Sequence, residues 1–138
     1  MTRRRFVIFA HWMTAFLLAV LLIEGPAAPV WLTSAFAGLT GLWFASYLAA
    51  RGPLGQPGPK LVGVLRPNHR VQHHALYLFL AAAGAASVTV LEGQVTGRAL
   101  TVLLFLGLLH GLFHLWRHTA LFDGALRVIL PKFMHGVL

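Results

Sequence analysis

Eight histidines among 138 residues, with no cysteine and only three acids, narrow the chemistry this chain can carry. Without cysteine there are no disulfides, thiolate clusters, covalently attached c-type haem or cysteine nucleophiles. Glu24, Glu92 and Asp123 leave a paired-carboxylate hydrolase or an oxygen-ligand metal site almost no material. Imidazole remains, as metal ligand, hydrogen-bond partner or proton carrier. His69 and His135 are assigned to a solvated loop and tail. The other six lie in or at the ends of apolar stretches, where an imidazole costs free energy unless it is hydrogen-bonded or ligates something.

The elements that must position these histidines are four apolar stretches: Phe6 to Ile23, Pro29 to Ala50, Val71 to Leu91, and Ala99 to Trp116. Each is long enough, as a helix, to cross about 30 Å of hydrocarbon. A composition 58% hydrophobic and 10% charged is one that a soluble domain of this size cannot solvate on its surface. The expected fold is all-α, an integral membrane four-helix bundle in a single domain, because lipid offers no partner for open backbone groups. No ten-residue alternating segments suggest a barrel. Short outward loops, Gly25 to Ala28 and Glu92 to Thr96, make each connected pair antiparallel neighbours. The inward loop, 51–70, holds Pro53, Pro57, Pro59 and Pro67 among glycines and predicts turns instead of helix. The tail, 119–138, reads as an interfacial segment with a turn at Asp123-Gly124. Small residues such as Gly38, Gly41 and Gly84 in the second and third crossings predict close helix approach, or room for a flat porphyrin.

The net charge of +8 is distributed as topology and not as a nucleic-acid face. Arg3, Arg4, Arg5, Arg51, Lys60, Arg66, Arg70, Arg117, Arg127 and Lys132 fall on one side of a four-crossing path and Arg98 alone on the other, which predicts both termini in the cytoplasm. The opening Arg3-Arg4-Arg5 with the apolar run after it also resembles a secretory or twin-arginine signal peptide. The run is long for a signal, and a retained first crossing is the expectation.

Depth follows from a rise of 1.5 Å per residue, counted from the nearest arginine. His11 lies six residues past Arg5, roughly 9 Å deep, and His110 seven residues before Arg117, roughly 10 Å deep. Two imidazoles at one depth meet the requirement of a porphyrin ligated from both sides. His73 and His114 are shallower. His110, His114 and His118, at i, i+4 and i+8, form a ladder toward the surface, suited to an axial ligand with hydrogen-bond donors beyond it, or to a proton relay. The plainer alternative is that the histidines bond one another and lipid headgroups, since helix rotation is not readable from spacing.

These residues match a known pattern. The whole chain resembles the prokaryotic cytochrome b561 family, four-helix membrane cytochromes that exchange electrons with quinones. Arg5 with His11-Trp12, His73 four residues before Tyr77, and His110, His118, Asp123-Gly124, Leu126-Arg127 and Pro131 carry the resemblance. It implies one haem b toward the cytoplasm, ligated by His11 and His110, in a bacterial inner membrane. The family's second, outward haem falls on Ser34 and Thr96, neither of which is a normal iron ligand, so a one-haem variant is expected.

The leading expectation is a monohaem b-type cytochrome whose electron partner is quinone or a redox protein. Bis-imidazole ligation leaves iron no open position and favours outer-sphere electron transfer. No glycine-rich flavin or nicotinamide fingerprint is present. Arg5, Arg70, Arg117 and His118 are candidates for pairing with haem propionates or a quinone headgroup, or else ordinary positive-inside anchors. Two alternatives stay open: a non-catalytic subunit of a larger respiratory or photosynthetic complex, and the cytochrome anchor of a dehydrogenase or hydrogenase.

Overall fold

The computed structural model describes residues 2–89 and 93–137, and no strand occurs among them. Four helices run in order: α1 (Arg3–Glu24), α2 (Val30–Ala49), α3 (Leu65–Val88) and α4 (Gly93–Ala120). Short 3₁₀ turns cover Gly25–Ala27, Ala125–Val128 and Lys132–Val137. The expected end of the third crossing near Leu91 and the loop residue Glu92 lie outside the described residues.

Helix boundaries follow the punctuation of the sequence. α1 contains neither glycine nor proline and stops where Gly25 takes φ 57°, its N–H capping the Leu21 carbonyl. α2 begins directly after Pro29, which is extended. It ends where Arg51 (φ 54°) and Gly52 (φ 150°) turn the chain. α3 departs from expectation by starting at Leu65, six residues earlier than Val71. Pro67 does not prevent this, because the first-turn N–H groups of a helix have no intrahelical acceptor and proline loses nothing there. Residues 65–70 of the expected loop are therefore helical.

Three segments are long and apolar enough to cross a membrane: Arg3–Ala27, Val30–Ala49 and Val95–Ala120. α3 is long enough at 24 residues, but its first turns carry Arg66, His69, Arg70, Gln72, His73 and His74. The bundle's outer surface exposes Phe16, Leu42, Phe105, Leu109 and Leu112, each more than 60% accessible. Water would be a poor solvent for such a surface.

α2 and α3 pack most closely, followed by α3 with α4 and α1 with α2, while α1 and α4 barely meet. At Gly84 a Cβ would collide with the Thr40 hydroxyl and stand 3.2 Å from Thr40 Cβ, so glycine is what lets α2 and α3 approach. Gly38 and Gly41 have nothing within 4 Å of a built Cβ, so the same reading does not extend to them. The apolar core consists of Leu17, Leu18, Leu21, Leu32, Phe36, Leu80, Ala83, Leu100 and Leu103. These positions lie late in α1 and α3 and early in α2 and α4. The core therefore fills the end of the bundle remote from the chain termini.

Candidate functional site

Toward the opposite end, α1, α3 and α4 enclose a cleft of about 340 Å³. That lies at the lower end of the roughly 300–1,000 Å³ common for ligand sites. Residues 53–56 of the loop and Ala125, Leu126, Val128 and Ile129 of the tail close its base. The tail is tied down by Arg4, whose guanidinium donates to the carbonyls of Arg127 (3.1 Å) and Leu130 (3.2 Å), and by Trp12, which donates to Ile129 (3.2 Å).

Helical spacing explains the walls. Val7, His11, Thr14 and Leu18 share one face of α1, and His69, His73, Leu76 and Leu80 one face of α3. Leu103, Gly107, His110, His114 and Arg117 follow each other by three or four residues on α4. Five histidines thus line one cleft: His11 from α1, His69 and His73 from α3, and His110 and His114 from α4. Gly107 and Gly111 flank His110, and a Cβ at either would meet nothing within 4 Å, so the α4 wall is flat there with space in front of it.

Four of the rings form a cluster. Centroids of His69 and His73 are 4.3 Å apart, His110 and His114 4.4 Å, and His73 and His110 4.8 Å. His11 stands apart from them, its ring neighbours being Trp12 and Trp43 at 5.5 and 5.9 Å. His73 Nδ1–H donates to the His69 carbonyl at 2.6 Å, one turn back on the same helix. The Gln72 amide donates to His110 Nδ1 at 2.7 Å. Buried Nδ1 of His69 and Nε2 of His114 have no hydrogen-bond partner. One ligand nitrogen from each of His69, His73 and His114 lies within 4.8 Å of the others, a grouping able to hold a metal ion.

Below the cluster, Arg117 and Asp123 form a buried ion pair of 2.6 Å, reinforced by Arg117 Nε donating to Asp123 at 2.8 Å. Asp123 also accepts the Ala125 N–H at 2.9 Å. Gly58 lies against this pair, with a Cβ there falling 2.8 Å from the carboxylate and 2.9 Å from the guanidinium.

Several expectations are corrected. His69, assigned to a solvated loop, is only 1% exposed and sits inside the cleft. His118 does not line the cleft although His110 and His114 do. Eight residues advance a helix about 80° beyond whole turns, so the ladder rotates off the face. Arg5 and Arg70 are exposed and away from the cleft, whereas Arg117 faces it but is bound by Asp123. His74 is exposed and hydrogen-bonds Tyr47. Ser34 is exposed, and the Thr96 hydroxyl donates to the Ala86 carbonyl at 3.0 Å.

Sequence reasoning missed His69 and Gln72. The usable signal was a repeated spacing: His69 and His73, like His110 and His114, are separated by four residues, one turn apart on adjoining helices. The proline two residues before His69 masked the first pair. Comparison of the chain with protein-family models, curated proteins and solved structures finds no match in any of the three.

Proposed function

We propose that this chain is a membrane-embedded b-type cytochrome of the cytochrome b561 kind, holding one haem between α1 and α4 through His11 and His110. The observation that carries this reading is that these two imidazoles, from opposite ends of the chain, line the same apolar-walled cleft. Both termini would lie on the cytoplasmic side of a bacterial inner membrane, as the distribution of arginine and lysine implies.

The residues fit the group. Neutral imidazoles are the usual axial donors of low-spin b-type haem, and the space before Gly107 and Gly111 accepts a flat ring where a side chain would block it. When bound, haem supplies a one-electron iron couple. His11 and His110 would hold it, and the hydrogen bond from Gln72 to Nδ1 fixes the His110 ring. As observed, the Gln72 amide nitrogen donates to Nδ1; turned end for end, the same amide would accept the Nδ1 proton and leave Nε2 as the lone-pair nitrogen of His110. Leu18, Leu80, Leu103 and Leu104 keep water from the cleft. Arg117 is already matched by Asp123, so its role is to close the base of the site, not to supply a free cation. Gly107 and Leu108 are exposed at the margin of the cleft, which gives an apolar electron partner such as quinone access from the side.

The test is a reduced-minus-oxidised spectrum of the purified chain with haem quantified. About one haem per chain is expected, and colourless protein prepared under conditions that preserve pigments would overturn the reading. Material that copurifies in mild detergent separates a protein acting alone from a subunit of a larger complex.

A further inference from the structure

We infer that His69, His73 and His114 form a binding site for a divalent transition-metal ion, set one helical turn from His110 and separate from the proposed haem ligands. One nitrogen from each lies within 4.8 Å of the other two. Two ligands on a tetrahedral ion at about 2.05 Å stand about 3.4 Å apart, so small side-chain rotations close the set.

Three features prepare these nitrogens for a metal. His69 is 1% exposed, yet its Nδ1 has no partner. The buried Nε2 of His114 has none either. Leaving such groups unmatched is costly unless something binds them. His73 donates Nδ1–H to the His69 carbonyl, which fixes its tautomer and directs the lone pair to Nε2, the outer-shell arrangement common to metal-bound histidines. The obstacle to a cation here is the Arg117 charge, and Asp123, 2.6 Å from it, offsets that charge. A set made only of imidazole, without carboxylate or thiolate, selects ions of the zinc and copper class over magnesium or calcium. The site stands independently of the haem reading, since it uses neither His11 nor His110.

The test uses the full purified chain in detergent, exposed to Zn²⁺ or Mg²⁺, freed of loose ion on a desalting column and assayed for metal. About one Zn²⁺ per chain and no retained Mg²⁺ are expected. His69→Ala and His114→Ala should each weaken Zn²⁺ binding by more than the roughly 10- to 100-fold that loss of an outer-shell partner costs. Helical content by circular dichroism should be unchanged. If His69→Ala fails to fold, His114→Ala alone decides. His110→Ala should keep Zn²⁺. Wild-type protein that retains no Zn²⁺, folded alanine variants that bind it as wild type does, or equal retention of Mg²⁺ would each overturn the inference. Colourless protein that holds Zn²⁺ would sink the haem reading alone, and haem-loaded protein that holds none would sink this one alone.

Discussion

The two ends of the bundle are built on opposite terms. Remote from the termini, the helices close on leucine and on Phe36, which is fully buried. Near the termini, the same helices hold their backbones apart around five histidines and are braced from below by the loop, the tail and one buried ion pair. Close packing of aliphatic side chains sets the relative positions of the helices, and only with those positions secured can one end keep a cleft lined by polar rings instead of collapsing. Gly84 against Thr40 anchors this on the α2–α3 side, where the helices pack most closely, while α1 and α4 meet far less.

The comparison is broken most sharply from the histidine end. His11→Ala or His110→Ala should abolish haem retention while leaving the helical circular dichroism signal in place, because neither residue belongs to the leucine core. A variant of either kind that still carried a full complement of haem would refute the ligand assignment. At the other end, Phe36→Ala should lower stability by about 3–5 kcal/mol, read as an earlier thermal unfolding in detergent. The spectrum of the fraction still folded should be unchanged, and a spectrum altered in step with the loss of stability would show that the two ends are not separable.

Smaller effects sharpen the picture. Gly84→Val forces α2 and α3 apart and should cost about 1–3 kcal/mol by overpacking, whereas Gly107→Leu should leave unfolding within about 0.5 kcal/mol of wild type and reduce haem occupancy. Reversal of those two outcomes would place the tight contact in the cleft and the open space at Gly84. Gln72→Leu should keep the haem but raise its midpoint potential, since His110 loses a hydrogen-bond partner that makes it a stronger donor to oxidised iron. A hydrogen bond of about 1 kcal/mol corresponds to about 40 mV for a one-electron couple, measurable by redox titration. An unmoved potential would remove Gln72 from the site.

Much of the fold was legible in the sequence. α1 and α4 cover the apolar stretches read from composition and extend past them, α2 falls one residue short of its stretch at each end, and the glycines and prolines at 25, 26 and 29 mark the first hairpin. The start of α3 was not legible, since a proline-rich loop and a first-turn proline look alike until the helix beyond them is seen. His69 was lost with it. Depth arithmetic put His11 and His110 level, but neither their placement in one cleft nor the membership of the remaining cluster could be read from it. His118 obeys the same four-residue step as His114 and yet leaves the cleft, while Arg5 and Arg70 turn outward and Arg117 turns in to meet Asp123.

By itself, then, the sequence determined how many helices form and how far apart along each the histidines lie, because apolar length and helical rise are properties of a single segment. Only the tertiary structure decided which histidines meet. Periodicity fixes the angle between residues within one helix but not the rotation of that helix against its neighbours, and rotation is set by contacts such as Gly84 on Thr40 that join residues far apart in the chain.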